Sequence, residues 1–188
     1  MIDSLAGRVA LVTGAAGGIG RAICERLAED DVRLVLVDID ARATASVASS
    51  IKVDTFIATL DASDPNAVAR EYARICDEFA PVDILVNCAG ILSNNKLLAT
   101  TPEEWRRVMA VNLDSALYWS QAVVPAMEGN GFGRIINITS IDGQRVNPWE
   151  TYSYQASKAA LIHLTRRMAA RLVRDHIYVT SLAPGAFP

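Results

Sequence analysis

The sequence predicts an α/β protein built on one doubly wound parallel sheet, with helices covering both of its faces. Three observations lead to this fold class. Short apolar runs alternate with longer amphipathic stretches, the runs lack the alternation of half-exposed strands, and the first run leads into a glycine-rich turn. Because crossovers between parallel strands are right-handed, repeated βαβ units leave few other topologies.

Six buried strands are predicted from the apolar runs, which are too short for helices. They lie at 9–12, 34–37, 55–60, 84–86, 134–138 and 177–182.

The segments between these runs have helical patterns. They predict helices at 19–29, 38–50, 102–127 and 152–173, with a further helix that starts at Asp64 and Pro65. An aspartate followed by proline is typical of a helix N-terminus. Glu103 and Glu104 place acidic charge near the start of the long helix, where the helix dipole favours it.

Composition limits the classes of partner. The 188 residues are enough for one domain with a sizeable core, and 51% of them are hydrophobic. The 18 basic and 21 acidic residues give a net charge of −3, without a basic stripe, so no nucleic-acid partner is expected.

Neither a signal peptide nor a membrane-spanning run is visible in the sequence. Cys24, Cys76 and Cys88 lack metal-ligand spacing and are typical of small buried side chains in a reducing compartment. We therefore expect a cytoplasmic protein with no bound metal and no membrane partner.

The turn after the first predicted strand is rich in glycine. Glycine is required where the backbone turns sharply or approaches a pyrophosphate, and the helix that follows directs its free N–H groups at the phosphates. A strand before the turn and a helix after it give the context of a dinucleotide site rather than of a plain tight turn. The predicted phosphate-binding residues are Gly14, Gly17, Gly18, Ile19 and Gly20.

Asp38 lies at the end of the second predicted strand, where a carboxylate accepts hydrogen bonds from the adenosine ribose hydroxyls. It would also repel a 2′-phosphate, and Arg42 is the nearest basic residue that could offset this. The alternative is that Asp38 caps the next helix, and Asp40 competes for the ribose role. The sequence thus favours NAD over NADP as cofactor.

Tyr154 and Lys158 stand four positions apart, on one face of a predicted helix. A free tyrosine has a pKa of about 10, too high for proton exchange near neutrality. An ammonium about 4 Å away interacts with a phenolate by roughly 4 kcal/mol at an effective dielectric constant of 20. The pair therefore predicts an acid/base group, although this spacing alone also occurs on exposed helix faces.

Taken in order, these motifs resemble the short-chain dehydrogenase/reductase family over essentially the whole chain. The resemblance is carried by the Thr-Gly-x-x-x-Gly-x-Gly loop, Asn87-Cys88-Ala89-Gly90, Ser140, Tyr154 with Lys158, and Pro184-Gly185. Cys88 departs from the second asparagine often found at that position.

The resemblance implies four catalytic residues. Tyr154 would exchange the proton with the substrate oxygen, and Lys158 would bind the nicotinamide ribose and make the phenol more acidic. Ser140, rather than Thr139, would hold the substrate oxygen by a hydrogen bond. Asn112 would organise a water that links Lys158 to solvent, or it could merely cap or bridge helices.

The resemblance also implies further cofactor contacts. Asp61 and Ala62 would flank the adenine, although Asp61 could be only a turn residue. The strand-end residues Asn87, Ala89 and Gly90 would line the cofactor. Pro184 and Gly185 would sit beside the nicotinamide.

Members of this family usually continue beyond Pro-Gly with a helical substrate lid, another helix and a seventh strand. This sequence stops at Ala186-Phe187-Pro188. We therefore expect that residues 1–188 form one Rossmann-type domain that is incomplete at its C-terminus.

The resulting functional hypothesis is hydride transfer between NAD and a secondary alcohol or its ketone. Polar residues in the loop 141–150 favour a hydroxylated substrate such as a polyol, and Trp149 either lines the substrate pocket or packs against it. A 3-oxoacyl thioester reductase that uses NADPH is the rival enzyme, and a non-catalytic NAD-binding protein is the rival of another class. The resemblance further implies a homodimer or homotetramer that shares the helices at 102–127 and 152–173.

Overall fold

Six strands lie within residues 4–185, the part of the chain that this computed structural model describes. They are β1 (Val9–Thr13), β2 (Arg33–Asp38), β3 (Thr55–Thr59), β4 (Ile84–Asn87), β5 (Gly133–Ile138) and β6 (Ile177–Leu182). All pair in parallel, in the order β3-β2-β1-β4-β5-β6. The predicted fold class and the six predicted runs are confirmed. Residues 186–188, where the sequence analysis expects the domain to be incomplete, lie outside the described residues.

Six α-helices connect these strands. They are α1 (Gly18–Ala28), α2 (Ala41–Ser50), α3 (Pro65–Glu78), α4 (Pro102–Met109), α5 (Ser115–Asn130) and α6 (Tyr152–Leu172), within the same described range. Asp64 caps α3 by accepting hydrogen bonds from the amides of Asn66 and Ala67, which confirms the predicted helix start.

Two helix predictions needed correction. The helix expected from residue 38 begins at Ala41, because the side chain of Asp40 accepts the amide hydrogen of Ala43 and forms the N-cap. The single helix expected over 102–127 is divided into α4 and α5 by a π-helical turn over Ala110–Asp114. Periodicity did not predict this turn, which contains Asn112.

The core forms two apolar layers, one on each face of the sheet. Alternate residues of β1 enter different layers, with Leu11 on the side of α3, α5 and α6 and Val12 on the side of α1 and α2. Both residues are fully buried. Burial on both faces is why the strands appear in the sequence as continuous apolar runs.

The strand order reverses between β1 and β4, which creates a crevice at the carboxyl ends of these two strands. The Thr13 hydroxyl holds them together there by accepting hydrogen bonds from the amides of Cys88 and Ala89, at 3.0 and 3.1 Å. Such a switch point is where open α/β sheets bind ligands. The glycine-rich turn follows β1 at this position.

Candidate active site

The glycine-rich turn is tightly folded against the end of β4. Gly14 has a φ of +66°, and a Cβ atom there would lie 2.9 Å from the Cα of Ala89. A Cβ on Gly20 would lie only 2.1 Å from the carbonyl oxygen of Gly14. The turn delivers the chain to α1, whose N-cap Gly17 offers no side chain to the free N–H groups of the first turn. An anion could bind these groups directly.

A cleft of about 370 Å³ opens beside this turn, at the ends of β2, β3 and β4. It brings together many of the predicted cofactor residues. Those that line it are Gly14, Gly17, Gly18, Ile19, Gly20, Asp38, Asp61, Ala62, Ala89 and Gly90.

Asp38 is fixed at the edge of the cleft by two backbone hydrogen bonds. Its Oδ2 accepts the amide hydrogen of Ala16 in the glycine-rich turn, and its Oδ1 accepts that of Asp40, both at 3.0 Å. Asp40, not Asp38, caps α2, so the alternative role considered for Asp38 is already filled. Arg42 is not among the residues that line the cleft.

Asp61 both forms a turn and faces the cleft. Its Oδ1 accepts hydrogen bonds from the amide and the hydroxyl of Ser63, while its Oδ2 pairs with Arg107 at 2.8 Å. Burial raises the pKa of this carboxyl, but the Ser63 hydrogen bonds and the Arg107 cation outweigh it, so the pKa of Asp61 lies below its usual value. The carboxylate is therefore the form present near neutrality.

Asn87 is placed differently from the expectation. Its side chain is buried and donates to the Oδ1 of Asn137 at 2.8 Å. The Nδ2 of Asn137 donates in turn to the Thr165 hydroxyl. Asn87 is not among the residues that line the cleft. Asn87 therefore links β4 to β5 and α6, because the last residue of a strand can turn inward as well as outward.

Lys158 connects the cleft to α6. Its ammonium is buried, donates to the Ile138 carbonyl at 2.7 Å, and lies 3.4 Å from where a Cβ of Gly90 would be. It is 5.8 Å from the centroid of the Tyr154 ring. Burial lowers the pKa of Lys158 to about 8, although the neighbouring Cys88 opposes this shift.

Thr139 and Ser140, the two hydroxyl residues considered for the substrate contact, follow β5 and have different hydrogen-bond partners. The Thr139 hydroxyl is occupied by the carbonyl of Leu182 at 2.8 Å. The Ser140 hydroxyl instead accepts the amide of Asp142, at the start of a short 3₁₀ turn. Pro184 joins this region, since its carbonyl accepts the amide of Ile141.

Gly143 packs this turn against α6, because a Cβ there would lie 2.7 Å from the carbonyl carbon of Lys158. A Cβ on Gly185 would lie 3.8 Å from the Ile141 side chain. The segments that follow β5 and β6 thus meet α6 outside the lining of the cleft. The close approach of Gly143 was not recognised from the sequence.

The side chain of Asn112 forms hydrogen bonds with the loop after β4 and with α6. Its side-chain amide forms hydrogen bonds with both the N–H and the carbonyl of Ile91, at 2.8 and 2.9 Å, and it donates to the Ser157 hydroxyl. It is 1% exposed. The Asn112 side chain therefore bridges the loop after β4 to α6, and its expected role in organising a water stays a prediction.

A second groove, of about 550 Å³, lies between the loops that follow β4 and β5. The Glu150 carboxylate joins the two loops by accepting the amide of Leu97 at 3.2 Å. Trp149 lines this groove and is 66% exposed. It therefore presents an indole surface on the side of the sheet that carries the carboxyl ends of the strands.

Comparison with known proteins agrees with this architecture. The family model described as short chain dehydrogenase matches residues 8–188. The chain belongs to the short-chain dehydrogenase/reductase family. A solved short-chain type dehydrogenase/reductase from Mycobacterium marinum superposes with a TM-score of 0.92 at 32% identity, covering 97% of this chain and 74% of that one.

Relatives within the family differ in their substrates. The chain is 40% identical over 186 residues to a galactitol 2-dehydrogenase (L-tagatose-forming) of Cereibacter sphaeroides, covering 96% of this chain and 72% of that protein. It is 37% identical over 187 residues to a 3-oxoacyl-(acyl-carrier-protein) reductase of Vibrio cholerae, covering 97% and 74%. Family membership therefore shows an oxidoreductase that binds NAD(H) or NADP(H).

None of the helices within residues 4–185 has the length and apolar character needed to cross a bilayer. The three cysteines are free thiols. Burial raises the pKa of Cys88, which borders the cleft, to about 11, although the nearby Lys158 opposes the shift. Its side chain is thus neutral near pH 7, as expected of a small apolar residue.

The crowding at Gly20 predicts a sharp contrast between two neighbouring glycines. Gly20→Ala forces a Cβ into the carbonyl of Gly14 and is expected to lower the free energy of unfolding by about 2–3 kcal/mol. Gly18→Ala is the matched control, because its Cβ would meet nothing within 4 Å, and its effect should stay within about 0.5 kcal/mol. Denaturant unfolding of the cofactor-free proteins measures both, and equal losses would contradict the geometry.

Burial of Lys158 predicts how stability depends on pH. The pKa is about 8 in the folded chain against an ordinary 10.5, so between these values the unfolded chain holds more protons and stability rises with pH. Relative to Lys158→Met, the wild type should gain about 3 kcal/mol between pH 8 and 10.5. Unfolding midpoints of both proteins across this range test it. A difference that does not change with pH would show that the amine is not held at a lowered pKa.

Proposed function

We propose that this protein is an NAD-dependent oxidoreductase that transfers a hydride between the cofactor and the carbon of a secondary alcohol or its ketone. The position of Lys158 is the observation that carries the proposal. Its ammonium lies against Gly90 at the wall of the cleft and one helical turn from Tyr154. A dinucleotide in the cleft would therefore have a cation and a phenol beside its nicotinamide end.

The residues present fit such a cofactor. The uncapped start of α1 can accept the pyrophosphate, and Gly17 and Gly18 present no side chain between their backbone N–H groups and a ligand. The Asp38 carboxylate is positioned for the adenosine ribose. When bound, NAD supplies the hydride acceptor, and the protein supplies orientation and proton transfer.

In the oxidation direction, the Tyr154 phenolate would accept the proton of the substrate hydroxyl, and bound NAD would be the acceptor of the hydride. The Ser140 hydroxyl holds the substrate oxygen by a hydrogen bond. Lys158 stabilises the phenolate electrostatically and binds the nicotinamide ribose. In the reduction direction, the Tyr154 phenol returns the proton to the oxygen of the ketone.

Support for NAD over NADP comes from charge. Of the described residues that line the cleft, Arg107 is the only basic one, and it is paired with Asp61. The Asp38 carboxylate thus has no cation beside it to receive a 2′-phosphate. An acyl-thioester reductase that uses NADPH, the activity class of one relative, is the rival.

A polyol is the substrate class that the second groove favours. The groove places the indole of Trp149 beside Asn94, Lys96 and Glu150, so an apolar surface is flanked by hydrogen-bonding groups. Such a surface suits a hydroxylated carbon chain. The relative named galactitol 2-dehydrogenase also favours a polyol substrate.

The cytoplasmic location and the assembly into a homodimer or homotetramer remain predictions.

Replacing Tyr154 tests the reaction. Tyr154→Phe should lower turnover of galactitol or another secondary alcohol by about 10³-fold, because the proton acceptor is lost, while NADH binding changes little. Tyr152→Phe is the matched control at the exposed start of the same helix and should keep its turnover within about twofold. Initial rates at 340 nm and fluorescence titration with NADH measure the two effects. Equal turnover by both variants would show that Tyr154 has no part in the chemistry.

Cofactor choice has a separate test. The wild type should show a kcat/KM for NAD at least about tenfold above that for NADP, which is about 1.4 kcal/mol of discrimination. Asp38→Asn should narrow this ratio because the repelling charge is gone from the cleft. Asp40→Asn removes an equal charge at the cap of α2, outside the cleft lining, and should leave the ratio within about twofold of the wild type. A wild-type preference for NADP would favour the reductase alternative.

A further inference from the structure

Arg107 is a basic residue of the cleft to which no sequence motif pointed. It projects from α4, and its Nη1 atom donates to Asp61 Oδ2 at 2.8 Å and to the Ser63 hydroxyl at 3.1 Å. The side chain remains about half exposed, at 48%. Arg107 also lines the cleft, so its ion pair with Asp61 does not remove the side chain from a ligand bound there.

Asp61 is less available to a ligand than Arg107. Its Oδ1 already accepts two hydrogen bonds from Ser63, and its Oδ2 accepts the guanidinium. The exocyclic amine of adenine would have to compete with these donors for the carboxylate. The polar contact most open to a base at this rim is therefore Arg107.

Apolar side chains line the cleft together with Arg107, among them Ile39, Leu60, Ala62 and Val111. Ile39 is 66% exposed and directly follows Asp38, the residue proposed to bind the adenosine ribose. A base attached to that ribose would lie in this part of the cleft. Arginine guanidinium planes stack on nucleic bases, particularly where water is partly excluded.

We propose that Arg107 is a cofactor-binding residue, whose guanidinium stacks on the adenine of the bound dinucleotide while the Asp61 ion pair holds it in position. The inference rests on the proposed function, since it requires a nicotinamide dinucleotide in this cleft. Arg107 would add affinity at the adenine end without discriminating between alcohol substrates.

Arg107→Lys is the informative variant, because lysine keeps the positive charge but lacks the planar group. Arg106→Lys is the matched control. The neighbouring Arg106 lies 74% exposed and pairs with Glu103 on the surface of α4. Titrating each purified protein with NADH, followed by nucleotide fluorescence, gives the dissociation constant without any turnover.

Arg107→Lys is expected to raise the Kd of NADH about tenfold, a loss within the range of base stacking, while Arg106→Lys stays within about twofold of the wild type. Displacement of NADH by ADP should weaken by the same factor as NADH itself. Displacement by nicotinamide mononucleotide should not change, because it lacks the adenine.

Two results would overturn the inference. One is an Arg107→Lys protein that binds NADH and ADP as tightly as the wild type. The other is an equal loss of ADP and nicotinamide mononucleotide, which would indicate a distorted cleft. The proposed function fails differently, through a wild type that binds NADH but whose alcohol turnover does not depend on Tyr154.

Discussion

The buried ammonium of Lys158 constrains the structure around the candidate active site. A cation removed from water needs an acceptor, and here the Ile138 carbonyl provides it at 2.7 Å. Gly90 and Gly143 lack side chains where the backbone passes closest to this lysine or to the helix that carries it. The position of α6, and with it that of Tyr154, depends on these close approaches.

The sequence predicted the elements whose signals are local. Parallel strands buried on both faces leave continuous apolar runs, and the phosphate turn is encoded within eight residues by its glycines. Tyr154 and Lys158 could be recognised because their spacing of one helical turn occurs together with the glycine-rich turn and the other motifs in order. For these features a short window of sequence contains the physical cause.

Other features depend on contacts between distant parts of the chain. Arg107 meets Asp61 across 46 positions, and Asn87 pairs with Asn137 across 50. Neither contact leaves a periodic signal. The motif containing Asn87 therefore led to a predicted cofactor contact, whereas its side chain forms a hydrogen bond with Asn137 of β5. For the same reason Arg107 was not predicted to line the cleft.

The cleft also has a consistent electrostatic arrangement. The Asp61 carboxylate and the Arg107 guanidinium neutralise each other at one end, while the uncapped N-terminus of α1 contributes partial positive charge at the pyrophosphate position. Asp38 remains as a single unpaired negative group among the described residues of the cleft. This distribution of charge is the basis for proposing NAD rather than NADP as the cofactor.

The π-helical turn at Ala110–Asp114 changes the direction in which side chains point between α4 and α5. An added residue advances the direction of side chains by about 100° around a helix axis. Before the turn, Arg107 faces the nucleotide cleft, and after it Trp119 and Val123 enter the core beneath the sheet. The π-helical turn therefore rotates the side chains of α5 relative to those of α4. As a result, α4 can place a side chain in the cleft while α5 packs into the core, within one continuous helical segment.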